Sequence, residues 1–210
     1  MVKIVVIKIG SSVIFTRRGK LDEFRLSHLA GGISDLIQKG FGILLVVSGA
    51  VYCGYENMCQ GKINISQENR QAFAGVGQAY LTAQLVNIFQ KKNLKIAQIL
   101  VTNNDLADRN KLISIKKTVE IYINTGIIPV FNENDVVELN GFGGNDLLAG
   151  RLSKIIKANS LWILSTWEGS TFGIGGKATK DEVIQKLNSQ GIKTVILNGK
   201  IKNVLSKNIL

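Results

Sequence analysis

The chain alternates short apolar, β-branched runs with helix-like stretches along its whole length, and this alternation constrains its fold most. Residues 2–9 read VKIVVIKI, the pattern of a strand buried on both faces of a parallel sheet. Similar runs at 42–50, 96–102, 127–134, 161–166 and 193–198 alternate with helical patterns at 23–39, 66–92 (two segments), 111–125, 145–158 and 179–190. This order predicts an α/β fold, a three-layer αβα sandwich with a mainly parallel central sheet, as one domain over residues 1–210.

The rarest residue types exclude whole classes of chemistry. The chain has one histidine, His28, and two cysteines, Cys53 and Cys59, too few for a zinc cluster or a disulfide framework. A Ser-His-Asp or Cys-His apparatus would have to use His28, which lies in a helical stretch without a motif and which we interpret as a surface or packing residue. We therefore predict no side-chain metal site, and chemistry that rests on Lys, Asp, Asn and backbone amides.

The formal charge of +11 is concentrated late in the chain, where residues 151–210 carry 10 basic and 3 acidic side chains. This excess fits either a lysine-rich solvated surface or contacts with phosphate groups. No basic run is interleaved with aromatic residues, so we do not expect nucleic acid as a partner. No apolar run approaches the roughly 18 residues of a membrane span, and Met1–Ile9 is too short for a signal peptide. We expect a soluble, cytoplasmic protein without a membrane partner.

Small or polar residues lie at the carboxyl ends of four of the predicted strands. They are Lys8 with Gly10-Ser11-Ser12, then Ser48-Gly49-Ala50, Asn132–Asp135, and Ser165-Thr166. In open parallel sheets ligands bind beyond the carboxyl ends of the strands, so these residues predict a binding rim. A lysine in an apolar strand is costly to bury without an anion, and we interpret Lys8 as a phosphate contact. The acceptor-rich cluster at Asn132–Asp135 either caps the next segment or holds a substrate ammonium group.

Two glycine-rich segments lead into helices. In the first, residues 141–146 read GFGGND, and Asn145 or Asp146 is suited to capping the helix that follows. In the second, residues 172–180 read FGIGGKATK, a loop with two lysines suited to phosphate groups. It is not a Walker A loop, because Thr171 and Ala178 stand where that motif needs Gly and Ser or Thr. It does match G-x-G-x-x-A, but it does not directly follow a predicted strand, which argues against a dinucleotide site.

Seven motifs occur together in one order along nearly the whole chain. They read IKIGSSVI (7–14), VVSGAVYCGYENM (46–58), AFAGVGQAYL (72–81), QILVTNNDLADR (98–109), GIIPVFNENDVV (126–137), GFGGNDLLAG (141–150) and GIGGKATK (173–180). In this set the chain resembles the amino acid kinase domain of the glutamate 5-kinases. The resemblance implies an amino acid kinase fold, with transfer of the ATP γ-phosphoryl group to the γ-carboxylate of L-glutamate and Mg²⁺ bound mainly through the phosphates. It also suggests a homo-oligomer.

The resemblance implies roles for the matched residues. Lys8 and Lys180 would flank the transferred phosphoryl group, and Asp146 would hold both ammonium groups. Glutamate would bind to Ser48, Gly49, Ala50, Asp135 and Asn145, with Asp135 facing its ammonium group. The nucleotide would bind to Lys8, Gly10, Ser11, Ser165, Thr166, Ile174, Gly175, Gly176, Lys177, Ala178, Thr179 and Lys180. Residues 1–150 would then form mainly the amino-acid side and 151–210 the nucleotide side.

The chain departs from the family pattern at three places. Gly144 stands where the family usually has an aspartate, and Ser165-Thr166 replaces a Thr-Asp pair. Only Trp167–Gly173 joins the fifth strand to the glycine loop, where the family has a much longer segment, and the chain ends before the RNA-modification-type domain of many members. Two alternatives follow: a catalytically impaired homologue that binds a small ligand or has a regulatory role, and a kinase for another small acid.

Overall fold

A computed structural model of the protein describes residues 2–16, 19–59, 66, 69–166 and 177–208, with the backbone alone for 177–179 and 182. Six strands alternate with helices in it. The strands are β1 (Lys3–Ile9), β2 (Phe41–Val47), β3 (Lys95–Val101), β4 (Ile127–Glu133), β5 (Ser160–Ser165) and β6 (Lys193–Asn198). The helices are α1 (Ser11–Ile14), α2 (Glu23–Gln38), α3 (Ala50–Cys59), α4 (Arg70–Gln90), α5 (Asn103–Ala107), α6 (Arg109–Asn124), α7 (Asn145–Ile155) and α8 (Lys177–Asn188).

The strands form one sheet in the order β3-β4-β2-β1-β5-β6, and every pairing between them is parallel. β1 is central, and Lys8 pairs with Val46 of β2 on one side and Ile163 of β5 on the other. From β1 the chain forms β2, β3 and β4 on one side of β1 and then crosses to β5 on its other side. This reversal opens a crevice at the carboxyl edge, beside the end of β1.

Helices cover both faces of the sheet, as the alternation predicts. One buried core joins the sheet to α1, α2 and α4, and the other joins it to α5, α6, α7 and α8. Left-handed glycines end two of the long helices, Gly40 with φ +84° and Gly126 with φ +72°. None of the helices in the described ranges is both long and apolar enough to span a membrane.

The structure corrects two helix predictions. Residues 66–92 contain one described helix, α4, rather than two segments, and α3 forms where no helix is predicted. The two helices pack backbone to backbone. A Cβ on Gly54 of α3 would lie 1.8 Å from the Phe73 carbonyl oxygen, and one on Gly77 of α4 would lie 1.8 Å from that of Ala50. Glycine lowers the local helix propensity, so the sequence pattern of residues 50–59 does not indicate a helix. The contact with α4 stabilises the helix that these residues form.

Candidate active site

Two lysines meet one aspartate at the carboxyl edge of the sheet. Lys8 is the second-last residue of β1, Asp146 is the second residue of α7, and Lys180 is the fourth of α8. Lys8 Nζ lies 2.8 Å from Asp146 Oδ1, and Lys180 Nζ lies 3.1 Å from Asp146 Oδ2. A single carboxylate therefore holds two ammonium groups that come from the first and the last thirds of the chain.

This cluster is charged although little water reaches it. The Asp146 side chain is 1% exposed, and those of Lys8 and Lys180 are 8% and 13% exposed. Burial lowers the pKa of Lys8, and the Asp146 carboxylate offsets only part of that effect. Burial alone would raise the pKa of Asp146, but Lys8 and then Lys180 outweigh it and hold the pKa below its usual range. With all three groups ionised, one net positive charge remains, and this favours an anion beside them.

Gly10 brings the backbone close to the cluster. Its N–H donates to the Leu164 carbonyl oxygen at 3.0 Å, which fastens the end of β1 to β5. A Cβ on Gly10 would lie 3.1 Å from that oxygen and 3.4 Å from Lys8 Nζ. The Gly10 amide is thus already bonded, while the absence of a side chain leaves space beside Lys8. The predicted phosphate contact of the Gly10-Ser11 turn stays a prediction.

A chain of amides joins the start of α7 to β4 and α4. Asn145 Nδ2 donates to Ser48 Oγ at 3.0 Å and to Asn132 Oδ1 at 2.8 Å. Asn132 Nδ2 donates in turn to Gln78 Oε1 at 2.7 Å. The Oδ1 atom of Asn145 is buried and has no hydrogen-bond partner among the described residues. This orphaned acceptor suits an N–H donor of a bound ligand.

Two carboxylates hold the loop between β4 and α7. Asp135 Oδ1 accepts from the Asn140 N–H at 3.2 Å, and Glu133 Oε2 accepts from the Phe142 N–H at 3.3 Å. Burial raises the pKa of Asp135, against the opposing effects of the Asn140 N–H and of Arg70. Burial likewise raises the pKa of Glu133, to about 7. Both residues line the cleft that contains the lysine cluster.

Most of the predicted site residues border this one cleft. Its lining includes Lys8, Gly10, Ser11, Ser48, Gly49, Ala50, Asp135, Asn145, Asp146, Ser165 and Lys180. The backbone of Lys177, Ala178 and Thr179 forms the first turn of α8, next to Lys180. Thr166 directly follows β5. Ile174, Gly175 and Gly176 lie outside the described residues.

Five further residues line the cleft without having been singled out by name from the sequence: Val51, Tyr52, Arg70, Glu133 and Asn140. Glu133 lies inside a predicted polar cluster, and its side chain is buried at the end of β4, where the loop that follows covers it. Arg70 follows no strand and belongs to no predicted motif. Helix α4 brings it to the cleft from a distant part of the sequence, so no local signal could have identified it.

The described residues offer no ready metal cage. No group of three or more His, Cys, Asp or Glu among them could hold a metal ion. The Asp146 carboxylate is engaged by two ammonium groups, which makes it a poor cation ligand. The donor set therefore fits Mg²⁺ only as a companion of bound phosphate groups.

The sequence matches a family of known proteins. The model of the amino acid kinase family matches residues 3–170. The chain belongs to the amino acid kinase family. A glutamate 5-kinase of Bacteroides thetaiotaomicron is 30% identical, covering 96% of this chain and 65% of the relative. One of Clostridium acetobutylicum is 31% identical, covering 96% of this chain and 90% of the relative. The chain thus spans slightly less than two thirds of the Bacteroides relative.

The amino acid kinase fold is also found among solved structures. A carbamate kinase from Giardia lamblia bound to AMP-PNP has a TM-score of 0.67 and 14% identity, covering 98% of this chain and 94% of that one. The UMP kinase from Ureaplasma parvum has a TM-score of 0.64 and 15% identity, covering 99% of this chain and 94% of that one. At these identities the likeness shows the fold alone.

This family member is short. Its alignment with the Bacteroides relative spans 234 positions, whereas the chain has 210 residues, so the relative has at least 24 residues without a counterpart here. The difference agrees with the shorter connection predicted after β5, although the residues of that connection, 167–173, lie outside the described part.

Proposed function

We propose that this family member transfers the γ-phosphoryl group of ATP to the γ-carboxylate of L-glutamate and forms glutamyl 5-phosphate, the first step of proline biosynthesis. The observation that carries the proposal is the placement of Lys8 and Lys180 on the single carboxylate of Asp146, in one cleft with Asp135 and Asn145. The similarity to glutamate 5-kinases at about 30% identity supports the choice of acceptor.

Phosphoryl transfer needs positioned charge more than it needs an acid or a base. A γ-carboxylate oxygen of glutamate forms a bond to the γ-phosphorus, the bond from that phosphorus to the β,γ-bridging oxygen breaks, and ADP leaves with the electron pair. Lys8 and Lys180 neutralise negative charge on the transferred group and on the leaving phosphate. Asp146 keeps both ammonium groups in place, and this division of labour needs neither histidine nor cysteine.

The two substrates would occupy opposite sides of the lysine cluster. Asp135 would bind the ammonium group of glutamate, with Ser48, Gly49, Ala50 and Asn145 along its length. The nucleotide would lie towards Gly10, Ser11, Ser165, Thr166 and residues 174–180. Mg²⁺ held on the phosphate oxygens would supply further neutralising charge. In this proposal residues 1–150 form mainly the amino-acid side and 151–210 the nucleotide side.

Trapping the acyl phosphate tests the proposal. Protein with ATP, Mg²⁺, hydroxylamine and L-glutamate should give glutamyl hydroxamate, and Lys180→Ala should abolish it. Lys111→Ala is the matched control, because Lys111 also pairs with a carboxylate, that of Asp105 at 2.8 Å, but on the exposed surface. Wild-type protein without turnover above the Lys180→Ala background would contradict the proposal.

A second candidate is a catalytically impaired homologue that binds a small ligand, with a regulatory role. It is favoured by Gly144, where the family pattern has a carboxylate, and by the residues of the Bacteroides relative that have no counterpart within the alignment. Calorimetry that detects glutamate binding while ATP neither binds nor turns over would favour this candidate. A kinase for another small acid would reveal itself in the same hydroxamate assay run with a panel of acids.

We also propose a cytoplasmic homo-oligomer, a location that suits the two proposed substrates. Helix α4 supports self-association, because Ala72, Val76, Ala79, Ala83 and Val86 are all exposed at alternating spacings of four and three residues. Such spacing places them in one apolar stripe along the helix, the pattern of helices that pair. A second copy of the chain would cover this stripe.

A further inference from the structure

Arg70 is a charged side chain in the cleft that is not fully hydrogen-bonded within the described structure. It is the first residue of α4 and lines the same cleft as the lysine cluster. Its Nε atom is buried and has no hydrogen-bond partner among the described residues. A half-buried guanidinium with an unsatisfied donor is costly unless an anion completes it.

Asp135 is near Arg70 but not paired with it. The charge of Arg70 acts to lower the pKa of Asp135, after the larger effects of burial and of the Asn140 N–H. No salt bridge joins the two side chains, and the Asp135 contact in the structure is to the backbone of Asn140. Among the described residues, the cleft thus contains an unpaired anion and cation, Asp135 and Arg70, in addition to the lysines that share Asp146.

This arrangement is complementary to an α-amino acid that carries a second carboxylate. The α-carbon of such a molecule bears an ammonium group and a carboxylate, and its far carboxylate can lie beside the lysines. We infer that Arg70 binds the α-carboxylate of the substrate, next to the ammonium group held by Asp135, and so selects α-amino dicarboxylates. The inference rests on the proposed function. A guanidinium suits this role because its N–H groups match a carboxylate in a two-bond geometry.

Substitution combined with trimmed ligands tests Arg70. We expect Arg70→Met to raise the KM for glutamate about 10- to 100-fold, as for loss of a charge-assisted contact, with a much smaller effect on kcat. Glutarate, which lacks the ammonium group, and 4-aminobutyrate, which lacks the α-carboxylate, serve as inhibitors of glutamate turnover. Arg70→Met should weaken inhibition by glutarate to the same extent as the binding of glutamate. It should leave inhibition by 4-aminobutyrate unchanged. Asp135→Asn should weaken inhibition by 4-aminobutyrate and leave inhibition by glutarate unchanged.

Arg25→Met is the matched control. Arg25 lies on α2, is half-buried as Arg70 is, and also has a buried Nε without a partner among the described residues, but it does not line the cleft. Arg25→Met should leave unchanged the KM for glutamate and the inhibition constants of glutarate and 4-aminobutyrate. The inference would be overturned if Arg70→Met bound glutamate with wild-type affinity, or if it lost as much affinity for 4-aminobutyrate as for glutamate. Either result would leave the proposed function intact.

Failure of the proposed function has a different signature. If wild-type protein gives no hydroxamate, calorimetric titration of wild-type and Arg70→Met protein with glutamate and 4-aminobutyrate replaces the kinetic constants. Glutamate binding that only the wild type shows would support the role of Arg70 in a non-catalytic protein. Equal binding to both proteins, or binding to neither, would overturn it.

Discussion

At the scale of single residues, the proposed reaction depends on charges held in place rather than on proton transfer. The Asp146 carboxylate contacts Lys8 and Lys180 within 3.1 Å, and its side chain is 1% exposed. Two ammonium groups this close repel each other unless the carboxylate lies between them. The separation of the lysines therefore depends on the charge of Asp146.

Asp146→Asn tests this dependence, because the amide keeps the shape and removes the charge. We expect kcat for the proposed reaction to fall by about 100- to 1,000-fold. The free energy of unfolding should fall by about 3 kcal/mol, since two buried ammonium groups lose their counterion. Steady-state kinetics and urea denaturation measure the two effects.

Lys111→Met is the control for that substitution, since it breaks the exposed pair with Asp105 and leaves the Asp105 carboxylate on its Thr102 partner. It should leave kcat unchanged and the stability nearly unchanged. If the two variants behaved alike, the charge of Asp146 would not organise the site.

Glu133 predicts a pH dependence of stability. Burial raises its pKa from 4.5 to about 7 in the folded protein. Between these values the unfolded chain has lost the proton that the folded protein keeps, so stability is lost as the pH rises through this window. The Glu133→Gln protein should not show that loss. From pH 4 to pH 8, the difference in free energy of unfolding between this variant and the wild type should therefore shift by about 2 kcal/mol in favour of the variant.

Urea denaturation across that pH range measures the difference. Glu120→Gln, which removes a carboxylate from the exposed face of α6, is the matched control for the loss of one charge. Parallel pH profiles of the wild-type and Glu133→Gln proteins would show that Glu133 is ionised throughout.

The sequence predicted the residues whose position depends on a strand end or a helix start. Lys8, Ser48 and Asp146 belong to this group, because local pattern fixes both the element and the edge. It did not predict Arg70 or the burial of Glu133. Those depend on how α4 and the 134–144 loop pack against the sheet, which is a long-range property.

At the scale of elements, the contact between α3 and α4 positions one wall of the cleft. Helix α4 supplies Arg70 and also Gln78, which supports Asn132 at 2.7 Å. All six strands were predictable from apolar runs, whereas α3 was not. Its glycine, Gly54, is favourable only because α4 approaches it closely, a fact that no local pattern contains.

Gly77→Ala tests the helix contact. The new Cβ would lie 1.8 Å from the Ala50 carbonyl oxygen, so the helices must move apart. We expect a loss of stability of about 3 kcal/mol, similar to strong overpacking in a core. Urea denaturation measures it, and a weaker affinity for glutamate should accompany it.

Gly31→Ala on α2 is the matched control, because a Cβ there meets nothing within 4 Å. It should increase the stability by up to about 1 kcal/mol, as expected in a helix. A Gly77→Ala variant as stable as Gly31→Ala would show that the close approach of α3 and α4 is not required.

At the scale of the whole molecule, the apolar stripe of α4 lies outside both cores of the sandwich. Val76 and Val86 on this stripe are 42% and 40% exposed, although α4 also buries Phe73, Leu81 and Leu85 against the rest of the chain. Helix α4 therefore has two apolar faces, of which the described part of one copy covers only one.

The proposed self-association predicts the effect of one substitution. We expect wild-type protein to have the mass of a dimer or a larger assembly in light scattering, and Val76→Glu to shift it to the monomer. Phe24→Glu, on α2 and 70% exposed, should not change the mass. A monomeric wild type, or a Val76→Glu protein of unchanged mass, would contradict the assignment of this face.

The sheet order also determines when the site can form during synthesis. Lys8 is synthesised well before β5, which lies beside it, and before the α8 lysine that shares its carboxylate. The segment after β6 closes the same region, where Lys200 Nζ donates to the Phe15 carbonyl oxygen at 3.0 Å across 185 residues. Contacts of such sequence separation form slowly and late. The cluster of Lys8, Asp146 and Lys180 therefore cannot assemble until the chain from β1 to α8 has been synthesised.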